Sequence, residues 1–167
     1  MAAFNNLVFV LDVDGVLTPG NFLYNKTGKF AKEFGGDDWD LLKELMELMQ
    51  VVFITADKKG YPIVKKRIID EMNWELYIVS HLPNKRWDWM RNKFKYYNII
   101  FMGDGCYDYY ALDKCYYGIT VPNALDYVQK YADYVTKRNG GQRAVAEACL
   151  HIMNKFGFDW KKKYDGK

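Results

Sequence analysis

Two carboxylates stand two residues apart in Asp12-Val13-Asp14-Gly15-Val16-Leu17-Thr18. They close a short apolar run, residues 7–13, that reads as a buried strand. Side chains two apart on a strand project to the same side, and Gly15 permits a sharp turn directly behind them. A single Asp would suit an ordinary strand-end turn. Two at the edge of a buried sheet repel each other and require a compensating cation. A second acidic station ends another apolar run in Met102-Gly103-Asp104-Gly105, and Asp108 follows four residues after Asp104. If the two strands lie close in one sheet, Asp12, Asp14 and Asp104 meet. Three hard oxygen donors with room for water suit Mg²⁺. Beside that ion a carboxylate can attack phosphorus and form an aspartyl-phosphate.

Two further stations carry weaker signals. Thr55 ends the run at 51–55, where its hydroxyl could donate to a phosphate oxygen; β-propensity alone would also place a Thr there. Lys85, in Ser80-His81-Leu82-Pro83-Asn84-Lys85, falls in the first turn of a helix, where the dipole disfavours a cation. That position suggests that it reaches for an anion, the plain alternative being a solvated surface lysine. His81 could line a pocket, while His151 sits on an apolar helix face and reads as structural. Cys106, Cys115 and Cys149 are odd in number, lack metal-site spacing and read as free thiols of a cytosolic protein.

The elements that must position these residues follow from an alternation. Short apolar runs at 7–13, 51–55, 76–79, 99–102, 117–121 and, weakly, 133–135 are separated by helically spaced segments at 40–49, 61–72, 84–94, 107–114, 124–131 and 143–156. This predicts right-handed βαβ units: an α/β fold with a parallel sheet and helices on both faces. Ligands of such sheets bind beyond the carboxyl ends of the strands, where the acidic stations lie. Residues 18–34 break the rhythm. Asn25-Lys26-Thr27-Gly28 reads as a turn between Phe22-Leu23-Tyr24 and Lys29-Phe30-Ala31, a small β-hairpin overhanging the sheet edge. Its side chains are too apolar to stand alone in water, so hairpins are expected to pair between subunits, in a tetramer first and a dimer second.

Composition bounds the rest. A chain of 167 residues, 50% hydrophobic and 27% charged, buries one core and reads as a single domain over 1–167. The net charge of +3 permits an anionic substrate without marking a nucleic-acid binder. Residues 1–6 carry no basic region and the first apolar run stops at Asp12, which gives neither a signal peptide nor a spanning helix, so a cytoplasmic chain without membrane contact is expected. Residues 84–97 interleave bases with aromatics that could stack nucleotides, but an amphipathic helix with Trp87, Met90, Phe94 and Tyr97 inward is the favoured reading.

The four stations together resemble the haloacid dehalogenase (HAD) superfamily of phosphotransferases: Asp12-Val13-Asp14-Gly15-Val16-Leu17-Thr18, then Thr55, then Lys85, then Gly103-Asp104 with Asp108. Within it the chain is similar to the 3-deoxy-manno-octulosonate 8-phosphate phosphatases, through the opening motif, the hairpin in place of a cap domain, Ala132-Asp133-Tyr134-Val135-Thr136 and Gly140-Gly141. The resemblance implies a Rossmann-like three-layer αβα fold and a Mg²⁺-dependent phosphomonoesterase acting on a small phosphorylated sugar or sugar acid. It makes Asp12 nucleophile and ligand, and Asp14 general acid/base and ligand through its backbone carbonyl. Thr55 and Lys85 become the phosphoryl holders, Asp104 the third ligand and Asp108 a support. It also points to a tetramer whose subunits cap one another; in such an assembly the stretch from Gly140 to Arg143 could reach an adjacent site and supply a cation to the substrate. A HAD-type polynucleotide end phosphatase and a non-catalytic HAD-like binding module are the alternatives. The chain departs from the family's Thr-Gly-Arg at Thr55-Ala56-Asp57, from Gly-Asp-Asp at Gly105, from Gly-Gly-Arg-Gly at Gln142-Arg143 and from Arg-Asp-Gly at Gly36-Asp37-Asp38. The chemical core is kept, and the positions that would read a sugar acid have changed.

Overall fold

The computed structural model of the chain describes residues 6–165; the reading of the N-terminus at residues 1–5 lies outside them. Six strands form one parallel sheet: β1 (Leu7–Asp12), β4 (Gln50–Thr55), β5 (Glu75–Ile78), β6 (Asn98–Met102), β7 (Tyr117–Thr120) and β8 (Tyr134–Val135). Their order across the sheet is β5-β4-β1-β6-β7-β8. Every apolar run of the sequence became a strand, because a strand covered on both faces must be apolar throughout rather than alternately. In β1, Val8, Phe9, Val10 and Leu11 have no exposure at all.

The helices are α1 (Asp37–Met46), α2 (Tyr61–Lys65), α3 (Pro83–Lys93), α4 (Tyr109–Lys114), α5 (Asp126–Gln129) and α6 (Ala144–Lys155). The segment after α2 continues as a π-helix, Lys66–Glu71. From β1 the chain steps outward through β4 to β5, then returns past β1 to β6 and proceeds the other way. Right-handed crossovers therefore put α1 and α2 on one face and α3, α4 and α5 on the other. The packing of α1 on α6 and of α3 on α4 agrees with this. The reversal beside β1 is a topological switch point, and it opens a crevice at the carboxyl ends of β1, β4 and β6. Among the described residues, no helix is long and apolar enough to cross a membrane.

The hairpin forms as expected, from β2 (Leu23–Asn25) and β3 (Gly28–Ala31). Asn25 Oδ1 accepts from the Thr27 backbone N–H at 2.8 Å and from its hydroxyl at 2.6 Å, which shapes the turn. Phe22, Leu23, Tyr24 and Phe30 are exposed on it.

The loop after β1 is held from behind by the segment before α6. Gly141 N–H donates to the Val16 carbonyl at 2.9 Å, and Gly140 N–H to Asn123 Oδ1 at 2.9 Å. Gly140 lies so close that a Cβ there would overlap the Gly15 carbonyl oxygen. Backbone cannot swing aside as a flexible side chain can. Gly140→Ala should therefore destabilise the fold by about 2 kcal/mol or more, read from urea melts, whereas Gly36→Ala, with open space at its Cβ, should change little.

Candidate active site

The site is built where the β1 and β6 loops press together. Asp12 is the last residue of β1, and its Oδ1 accepts from the Val13 N–H at 2.7 Å. Val13 N–H also donates to the Ile54 carbonyl at 3.1 Å, so the loop leaves the sheet still tied to β4. Gly15 then turns at φ +89°, and a Cβ on it would overlap the Asp104 carboxylate. Only glycine serves both needs. Asp12, Asp104 and Asp108 consequently converge, with one carboxylate oxygen from each lying within 4.8 Å of the others. Asp104 Oδ1 is buried with no hydrogen-bond partner. Burial, reinforced by the charges of Asp12 and Asp108, pushes the Asp104 carboxyl up to about 8. An orphaned buried carboxylate oxygen facing two other carboxylates suits a hard divalent cation, so the residues present fit Mg²⁺.

The buried side-chain cation of this cluster is Arg86, not Lys85. Helix α3 begins at Pro83, so Arg86, Met90 and Phe94 fall one turn apart on its buried face while Lys85 points to solvent. Arg86 Nη1 donates to Asp12 Oδ2 at 2.7 Å and to Asp108 Oδ1 at 2.7 Å, and Nε donates to the Ser80 carbonyl at 3.1 Å. Burial alone would lower the guanidinium's affinity for its proton, but Asp108 and Asp12 raise it above the ordinary value. Asp12 is pushed up by burial, and Arg86 opposes that rise. Asp108 is fixed from its other side by the Gly105 N–H at 2.9 Å. Gly105 thus supplies a backbone donor that holds the Arg86 support.

Asp14 turns away from the acidic cluster into a second network. Its Oδ1 accepts from Lys32 Nζ at 2.6 Å and its Oδ2 from the Thr55 hydroxyl at 3.2 Å. The Asp57 N–H donates to the same Thr55 oxygen at 3.0 Å. Asp57 in turn pairs with Lys32 at 2.8 Å and with Lys29, while Gly60 N–H donates to its Oδ1 at 3.0 Å. Burial raises the Asp14 carboxyl despite Lys32. For Asp57 burial also pushes upward, but Lys29, Lys32 and Gly60 outweigh it and hold the carboxyl well below the usual range.

Both networks open on one cavity of about 380 Å³ that includes His81, Phe22, Tyr107 and Cys106 on its walls. Thr55 is fully buried and engaged with Asp14 rather than open to a ligand. Arg143 does not enter this cavity: it pairs with Asp37 and lines separate clefts near the start of α6. His151 is structural as expected, stacked on Tyr134 at 3.7 Å and bonded to the Tyr117 hydroxyl at 2.8 Å. The three cysteines are free. Tyr97 is exposed, so of the expected inward stripe only Met90 and Phe94 are fully buried and Trp87 is half-buried. Sequence reasoning missed Arg86, Lys29, Lys32 and Asp57. Arg86 was detectable by its spacing of four and eight from Met90 and Phe94; the lysines had no comparable signal.

Removing one partner of a buried pair leaves the others uncompensated. Arg86→Met should cost about 3–5 kcal/mol of stability in chemical denaturation, against about 0.5 kcal/mol or less for Lys85→Met. The Asp104 shift gives a signed pH effect in metal-free protein. Below its ordinary value of 3.8 the carboxyl is protonated whether folded or unfolded and imposes no penalty. As pH rises toward about 8, the unfolded chain ionises it freely and the folded chain does not, so stability is lost across that window. Asp104→Asn should flatten this loss; the same slope of urea midpoint against pH in both proteins would contradict the shift.

The comparisons agree with this geometry. Residues 90–149 match the model of the haloacid dehalogenase-like hydrolases. The 3-deoxy-D-manno-octulosonate 8-phosphate phosphatase of Haemophilus influenzae is 31% identical over 157 residues, covering 91% of this chain and 86% of the relative. That of Escherichia coli K12 is 28% identical over 148 residues, covering 87% and 78%. Among solved structures, the cobalt-bound phosphatase from Haemophilus influenzae superposes with a TM-score of 0.81 at 26% identity, covering 92% of this chain and 91% of that one. The Moraxella catarrhalis phosphatase in complex with magnesium, phosphate and KDO gives 0.78 at 26% identity, covering 92% and 88%. With its acidic stations, its sheet order and its relatives in agreement, the chain belongs to the 3-deoxy-D-manno-octulosonate 8-phosphate phosphatase family of HAD-like hydrolases.

Proposed function

We propose that this chain is a Mg²⁺-dependent phosphatase that hydrolyses the phosphate monoester of a small sugar acid, with 3-deoxy-D-manno-octulosonate 8-phosphate as first candidate. The observation that carries the reading is the convergence of Asp12, Asp104 and Asp108 around Arg86 at the switch point of the sheet. Asp12 is the nucleophile. Its carboxylate oxygen bonds to phosphorus as the bond to the sugar oxygen breaks, and Asp14 gives that oxygen its proton. Asp14 then takes a proton from water, which attacks the aspartyl-phosphate, freeing inorganic phosphate and restoring Asp12. The raised Asp14 carboxyl supports a proton-carrying role, and Lys32 and Thr55 orient it. Arg86 takes the phosphoryl-holding role that the sequence reading gave to Lys85 and Thr55, and Asp108 fixes Arg86. The Asp12 and Asp104 side chains and the Asp14 carbonyl would hold Mg²⁺, which when bound would supply the positive charge that lets an anionic nucleophile approach an anionic ester.

The exposed Phe22, Leu23, Tyr24 and Phe30 support assembly through the hairpins, as a tetramer first and a dimer second. In such an assembly Arg143, absent from its own subunit's cavity, contributes to a neighbour's. Residues 1–167 act as one HAD-like domain, and the free cysteines suit the cytoplasm.

The test is phosphate release from 3-deoxy-D-manno-octulosonate 8-phosphate and from p-nitrophenyl phosphate, with Mg²⁺ and with EDTA. Turnover should require the metal. Asp12→Asn should lower it by about 10³-fold or more, and Asp14→Asn should harm the sugar phosphate more than the aryl ester with its better leaving group. Full activity in EDTA, or in Asp12→Asn, overturns the reading.

A further inference from the structure

Two basic side chains line the 380 Å³ cavity, Arg86 and Lys29. Arg86 is committed to Asp12 and Asp108, at the reacting end. Lys29 stands apart from it, on strand β3 of the hairpin, with its ammonium 3.4 Å from the centre of the Phe22 ring and paired with Asp57. Its side chain is only 6% exposed, so it is a fixed wall of the cavity rather than a solvated arm.

We infer that Lys29 is a specificity-determining residue that binds a carboxylate on the leaving group, an inference that rests on the phosphatase reading above. Three features of the geometry support it. An ammonium has three N–H donors, and Asp57 with the Phe22 face does not exhaust them. Asp57 is compensated twice over: Lys32 at 2.8 Å and the Gly60 N–H at 3.0 Å hold it if Lys29 shifts toward a ligand. The carboxylates around the reacting end, by contrast, would repel a second anionic group there. A substrate with a phosphate at one end and a carboxylate at the other thus finds one cation for each. Phe22 and Asp57 restrict where the Lys29 ammonium can sit, which limits the entropy lost on binding.

The test compares kcat/KM for 3-deoxy-D-manno-octulosonate 8-phosphate and for its methyl ester, which differ in the carboxylate charge, with p-nitrophenyl phosphate as a third substrate. The wild-type chain should prefer the acid by about 10- to 100-fold, the worth of one charge-assisted hydrogen bond in a shielded site. Lys29→Met should bring that ratio close to one, Lys29→Arg should keep most of it, and Lys29→Glu should reverse it. A loss of hairpin structure alone would slow acid and ester alike and leave the ratio in place. A ratio unchanged in Lys29→Met, or a wild-type chain that does not distinguish the two, overturns the inference. So does a wild-type chain that cleaves the aryl ester but neither sugar phosphate, which leaves the phosphatase reading standing. A wild-type chain that cleaves none of the three overturns both.

Discussion

Mutual repulsion among buried carboxylates is the constraint on which the site depends. The crossing order of the sheet delivers Asp12 and the loop bearing Asp104 and Asp108 to one crevice, where a carboxylate oxygen of each lies within 4.8 Å of the others. The chain answers with one buried guanidinium, whose Nη1 is shared between Asp12 and Asp108. Arginine suits this place because it keeps its charge when desolvated, where a lysine would shed its proton more readily. Asp104 is left over, raised to about 8 and with its Oδ1 lacking a partner. The protein alone therefore balances its acidic cluster incompletely, and hard carboxylate oxygens in that state suit a divalent ion.

The fold was legible in the sequence because buried parallel strands announce themselves as uninterrupted apolar runs, most plainly in β1, β4 and β6, while the two half-buried residues of β8 gave only a weak signal. The acidic stations were legible for a related reason: Asp12, Asp14 and Asp104 end such runs, and strand ends in this topology share one edge. Lys85 was misjudged because proximity to a helix start was weighed without helical phase. Counting back from Met90 and Phe94 gives Arg86 on the buried face and leaves Lys85 outside. Lys29 and Lys32 were illegible on physical grounds. Both sit where the hairpin meets the sheet, and contacts between a small insertion and a strand end leave no periodic trace in either segment. Asp57 stood out as a departure from the family's motif, but the lysines that explain it could be found only in three dimensions.

The hairpin is more than a cover. Through Lys32 it touches Asp14, and through Lys29 and Lys32 it grips Asp57 at the end of the β4 loop. Its charged side is thus tied to the chemistry of its own subunit while its apolar side faces outward. The same short insertion can orient the acid/base residue and present a surface for assembly.

The contact of Gly140 with the Gly15 carbonyl has a consequence for how the molecule is made. During synthesis β1 precedes both its partners in the sheet, residues 50–55 and 98–102, and the backing of its loop arrives later still. Until residues 98–102 are made, the apolar run from Leu7 to Leu11 therefore lacks its β6 partner and stays exposed on that edge, the condition under which nascent chains recruit holding chaperones. The loop that follows the proposed nucleophile thus waits for residues 140–141 before it acquires its final support.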